Sequence, residues 1–219
     1  MIDHKKEIIK CIQQLSGRYS PVSVFFDWVQ CMALEICNTC HIIHGDVWRR
    51  REEEYKATIS KYDKAERVKL AEMFGMLVMA LEDGLGDTLG EIYMGSIGGD
   101  AGKGQFFTPY NVSLACARLT LPKEGKDGKI TVNEPTCGSG GMIIAAAQAL
   151  RERGENYQRK LDVVCQDLDW TAVYMCYVQL SLLGIRATVA QGNTLAEPCI
   201  DRYPAERVLR TPAKMGLLL

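Results

Sequence analysis

The amino-acid sequence predicts an α/β fold in its second half, preceded by an α-helical segment. Three observations lead there. Residues 1–95 carry apolar positions at helical spacing and no alternating strand pattern. Beyond residue 104, short β-branched runs alternate with longer amphipathic ones, the signature of a parallel sheet wrapped by helices. Between the first such run and an alanine-rich stretch stands "EPTCGSGG", residues 134–141, a bend almost without side chains.

In the first half, "PVSVFFDWVQCMALEIC" places Val24, Trp28, Cys31, Met32, Glu35 and Ile36 close to helical spacing. Pro21 suits its first turn, where the missing N–H has no partner to lose. A second helix is expected over residues 52–83, ended by Gly84 and Gly86. "DTLGEIYMGSIG" reads as one more, capped by Asp87 or Thr88, and "GGDAGKG" then breaks the structure. The expected domains are therefore 1–99, helical, and 100–219, α/β.

In the second half, "NVSLACARLTL" is a helix entered through Pro109. Strands follow at "ITVNEP", "LDVVCQDLD" and "ATVAQGNTL", with helices "GGMIIAAAQALRERG" and "TAVYMCYVQLSLLG" between them. "ERVLRTP" is a fourth expected strand. No internal repeat interrupts this order.

Bulk properties narrow the function. The net charge is -1 and the pI about 6.3, so the basic excess of a general nucleic-acid binder is absent. No run approaches the apolar length of a membrane span. The nine cysteines are odd in number and scattered, which points to reduced thiols and a cytoplasmic location.

Ligands of open parallel sheets lie outside the carboxyl ends of the strands. Gly138, Gly140 and Gly141 let backbone approach a ligand there, and the next helix aims its N–H groups at the same point. Asp167 ends the second strand, 26 residues after Gly141, where an acid suits ribose hydroxyls. Asp169 is placed to cap the helix that follows. Asn193 ends the third strand and can both donate to and accept from an adenine edge. The glycines fit neither G-x-G-x-x-G, which disfavours NAD, nor the P-loop pattern, which is excluded.

"GQFFTP" (104–109), "EPTCGSGGM", "CQDLD" and "QGNTL" stand in the order seen in N6-adenine DNA methyltransferases, and the chain most resembles the modification subunit of type I restriction systems. The resemblance covers roughly residues 85–195. It implies a Rossmann-like S-adenosylmethionine-dependent methyltransferase core. It implies S-adenosylmethionine as cofactor and DNA as substrate partner. It places Phe107, Thr108 and Pro109 along the methionine end of the cofactor. Glu134, Thr136, Gly138 and Gly140 would meet its amino-acid part, Asp167 its ribose and Asn193 its adenine.

The family's Asn/Asp-Pro-Pro-Tyr/Phe motif is expected near residue 211, where Thr211, Pro212, Ala213 and Lys214 stand instead. Thr211 and Pro212 are the candidate catalytic residues of this degenerate motif. The resemblance also implies further strands, so the sheet is expected to be incomplete, with an open edge covered by a protein partner or a second copy. Two functions follow. One is methyl transfer to adenine N6 in DNA, with a partner completing the site. The other is a catalytically inactive methyltransferase-like module that acts through protein contacts.

Other motifs read as structural. In "CNTCHIIH", Cys37, Cys40, His41 and His44 would share a face on a continuous helix, yet a cysteine-rich buried face is favoured over a metal, and none is expected. "RRREEEYK" is expected as a solvated helix start with pairs such as Arg49–Glu53 and Arg50–Glu54. Cys137 reads as a small residue that fits its bend rather than a reactive thiol.

Overall fold

The computed structural model describes residues 3–97, 107–123 and 128–217. It contains two compact units. One comprises Met1–Gly84 and Thr88–Phe106, the other Leu85–Asp87 and Phe107–Leu219. The expected break at 98–104 lies outside the described residues.

The first unit is helical: α1 (His4–Leu15), α2 (Pro21–Thr39), α3 (Asp46–Ile59), α4 (Lys64–Glu82) and α5 (Thr88–Ile97). Ser20 caps α2 ahead of Pro21 by accepting the Ser23 N–H. Buried Val24, Phe25, Trp28 and Val29 form its core face. The single helix expected over 52–83 is in fact two. Tyr62 turns inward and is only 1% exposed, giving its hydroxyl to buried Asp27 at 3.0 Å. Asp63 and Glu66 then form a reciprocal capping box that starts α4. Burial of the Tyr62 ring and this box outweigh the continuous periodicity.

Arg51 also departs from the expected solvated face. It is buried and directs Nη1 at the Cys37 sulfur, 3.0 Å away. Arg49 pairs with Asp46 at 2.9 Å. Helix α2 stops at Thr39, so Cys37, Cys40, His41 and His44 do not share one helix; His44 stacks on Trp48 instead.

The second unit holds α6 (Tyr110–Thr120), β1 (Ile130–Glu134), α7 (Gly141–Glu152), α8 (Tyr157–Lys160), β2 (Leu161–Asp167), α9 (Trp170–Leu182), β3 (Arg186–Gln191) and β4 (Val208–Arg210). The four-stranded sheet has the order β1-β2-β3-β4, with β1, β2 and β3 parallel. With strand order β1-β2-β3, crossovers of the usual right hand put α7 and α9 on the same face. Leu161, Val163, Cys165, Ala187 and Val189 fill that face and are 0% exposed. Strand β4 runs antiparallel to β3, pairing Thr188 with Arg210. The sheet is thus mixed and open, with β1 at one edge and β4 at the other.

Candidate functional site

The parallel register brings Glu134, Asp167 and Gln191 to one rim, the carboxyl ends of three neighbouring strands. The bend after β1 folds over this rim. Gly138 (φ 53°) and Gly140 (φ 94°) both occupy the left-handed region that other residues rarely adopt. A side chain at Gly138 would also collide with Phe107, whose Cδ1 lies 2.9 Å from the position of a Cβ. Phe107 therefore lies directly on the bend. Thr108 and Pro109 follow it as exposed residues, and Pro109 precedes α6 as its N-cap.

Asp167 ties the rim together. Its Oδ2 accepts the Gly138 N–H at 2.9 Å and its Oδ1 accepts the Asp169 N–H at 3.0 Å. Its own carbonyl accepts the Gly192 N–H at 2.8 Å, which joins the third strand's end to the second. The Cys137 N–H reaches the Gln166 carbonyl at 2.9 Å, and Thr194 Oγ1 donates to the Pro135 carbonyl at 2.8 Å. Asp169 accepts the Thr171 N–H at 2.8 Å, so the two acids divide the roles of bend and cap.

Glu134 lies half-buried below Thr136, whose N–H it accepts at 3.3 Å. Burial pushes its carboxyl above the ordinary carboxylate range. Thr136 is exposed on the bend. Asn193 is exposed too, and its Oδ1 accepts the N–H groups of Leu195 and Ala196 at 3.0 and 3.3 Å. The accepting half of this side chain shapes its own loop, an Asx-type turn.

Sequence reasoning missed the support beneath the bend. Ser139, between the two left-handed glycines, gives its hydroxyl to Asp87 at 2.5 Å. Gln179 of α9 donates to both Asp87 and the Ser139 carbonyl. The sequence offers Asp87, with Thr88, as a helix cap, and nothing local ties Asp87 to a residue 52 positions away as well.

The family model for N-6 DNA methylases matches residues 83–213, more than half of the 219-residue chain and the whole of this rim. The chain belongs to the N-6 DNA methylase family. No curated protein matches it. A solved structure from Listeria monocytogenes, assigned to the class I S-adenosylmethionine-dependent methyltransferases, is similar at TM-score 0.51 and 11% identity, over 89% of this chain and 55% of that one. A type I restriction-modification methyltransferase subunit from Streptococcus thermophilus aligns at TM-score 0.46 and 19% identity, over 88% and 43%. At 11% identity the likeness to the first is one of fold. The chain spans about half the length of these two proteins.

In this chain, Thr211 and Pro212 do not join the rim, which corrects the expectation that they stand in the site. Thr211 is 0% exposed and its Oγ1 donates to the Ile185 carbonyl at 2.7 Å while accepting the Ala187 N–H at 3.0 Å. Pro212 is buried beside it, and Lys214 pairs with Asp162. Those partners lie at the amino ends of β2 and β3. From Asp162 to Asp167, β2 alone separates the two ends by about 17 Å at about 3.3 Å per residue. The cause is β4, which pairs antiparallel with β3 and so delivers its own end to the opposite side of the sheet.

Cys137, Cys165 and Cys176 are buried together below the bend, and hydrogen bonding with the other two draws Cys165 below the ordinary thiol range. Hydrogen bonding with Cys165 holds Cys137 well above the ordinary thiol range, and burial adds to it. Cys176 is raised likewise by bonding to Cys137 and Cys165 and by burial. A buried thiol held protonated, as Cys137 is, is a poor nucleophile. Among the described residues, no cluster of His, Cys, Asp or Glu has the arrangement of a metal site, and no helix is long and apolar enough to cross a membrane.

Proposed function

We propose that this chain binds S-adenosylmethionine along the rim of β1, β2 and β3 and serves adenine-N6 methylation of DNA, with a partner protein or second copy supplying the groups that hold the adenine. One observation carries the reading: Asp167 and the bend are joined directly by the bond to Gly138. An acid suited to ribose hydroxyls thus stands beside a glycine-rich bend, which supports the reading.

The donor set fits the cofactor. Each Asp167 oxygen accepts one backbone N–H and keeps a lone pair for a ribose hydroxyl. Glu134, once ionised, would face the ammonium of the amino-acid part, and Thr136 with the bend would meet its carboxylate. Phe107, Thr108 and Pro109 border the methionine end, and Asn193 the adenine. When bound, the cofactor supplies an electrophilic methyl on a sulfonium, a good leaving group. The chain's own contribution is positioning and exclusion of water, for which aligned reactants account for much of a rate. The cysteine usage supports a cytoplasmic setting as part of the same proposal.

A second reading, the inactive module, is favoured by the burial of Thr211. Labelled methyl transfer separates the two. Methyl incorporated into adenine-containing DNA by the purified chain, or by the chain with a partner subunit, supports the enzyme. Cofactor binding without incorporation under either condition supports the module.

A further inference from the structure

We infer that Asp87 is a positioning residue for the cofactor bend, acting through Ser139 and Gln179. This inference rests on the proposed cofactor site and names what sets its shape. Residues 85–87 cluster with the second unit. Asp87, Ser139 and Gln179 are all buried, at 5%, 2% and 0% exposure.

Three hydrogen bonds close a loop. Ser139 Oγ donates to Asp87 Oδ2 at 2.5 Å, Gln179 Nε2 donates to Asp87 Oδ1 at 3.0 Å, and the same amide donates to the Ser139 carbonyl at 2.7 Å. Ser139 is thereby held at both its side chain and its backbone. Its position between Gly138 and Gly140 makes this matter. Each glycine has access to conformations closed to other residues, so a bend built on two of them samples many shapes unless something fixes it. The middle residue is the effective place to fix it, and Ser139 is that residue.

The carboxylate also packs against the start of α7. A Cβ on Gly141 would lie 3.0 Å from Asp87 Oδ2. The negative charge therefore stands at the helix N-terminus, where it is favoured. Charge, hydrogen bonds and close approach all point inward, behind the bend. The outer side, toward Asp167, is left for the ligand. A bend shaped in advance loses less entropy on binding, which is how a residue without ligand contact raises affinity.

The experiment uses the full chain and S-adenosylmethionine itself. Calorimetric titration of the wild type comes first, followed by Asp87→Asn, Ser139→Ala and the double variant. Asn at 87 keeps one acceptor but turns an NH2 toward a donor. Val163→Ala, a core truncation in β2, serves as the control for general loss of stability. Amide spectra of the unliganded proteins report on the Gly138 and Gly140 N–H groups.

We expect each single variant to weaken binding about tenfold, the size of coupling common in buried networks. The double variant should be no weaker than about the worse single. The Gly138 and Gly140 amides should broaden in the variants, while Val163→Ala should change neither affinity nor those amides. Variants that bind as the wild type does, with sharp glycine amides, overturn the inference and leave the cofactor site standing. A control that loses as much affinity as Asp87→Asn also overturns it, since the effect is then only stability. A wild type that does not bind overturns the proposed site and this inference together.

Discussion

The carboxylate of Asp167 accepts the N–H of Gly138 at 2.9 Å, so the end of the second strand grips the bend that follows the first. An acid aimed at a left-handed glycine stabilises a conformation that an isolated peptide would hold poorly. A charge-assisted bond of this kind is about twice as strong as a neutral one. The two features read from sequence as separate signals are therefore one structural unit.

Gly140 provides a test of that unit's backbone. At φ 94° a Cβ is strained, and it would stand 3.2 Å from the Cys176 sulfur and 3.4 Å from its Cα. Gly140→Ala should lower stability by about 2 kcal/mol, from left-handed strain with added crowding. Denaturant midpoints at constant m-value measure it.

Thr211 should behave as a structural residue. Thr211→Val keeps the shape but leaves the Ala187 N–H without its acceptor and the Ile185 carbonyl without its donor. The expected cost is about 1–3 kcal/mol in unfolding free energy. Cofactor affinity of the folded variant should equal that of the wild type by calorimetry.

Glu134 gives the site a pH dependence. Burial raises its pKa, so the carboxyl stays protonated to higher pH than an ordinary glutamate. An ammonium needs it ionised. Affinity for S-adenosylmethionine should therefore rise as pH rises through the raised pKa and fall on the acid side. The sign for stability is opposite: the raised pKa favours the unliganded fold at low pH, and this contribution is lost as pH rises through it. In Glu134→Gln the rise in affinity should be absent. Titrations across a pH series in one buffer system check both.

Much of this architecture was legible because it is local. Pro21, the β-branched run at Val163 and the cap at Asp169 each act within a few residues. The break between α3 and α4 was missed although the Asp63–Glu66 box is local, because apolar periodicity runs on through Tyr62. Strand β4 has three residues, too few for a pattern to declare its direction. Its antiparallel turn is what carries Thr211 away from the site. The Asp87 to Ser139 bond joins distant chain segments, and only folding brings them together.

Titration calorimetry of the full chain with S-adenosylmethionine, beside Asp167→Ala, tests the central claim most directly. The account predicts saturable one-to-one binding by the wild type and at least a tenfold loss in the variant, about 1.4 kcal/mol or more. Equal affinities in the two proteins, or no heat from the wild type at saturating cofactor, would contradict it.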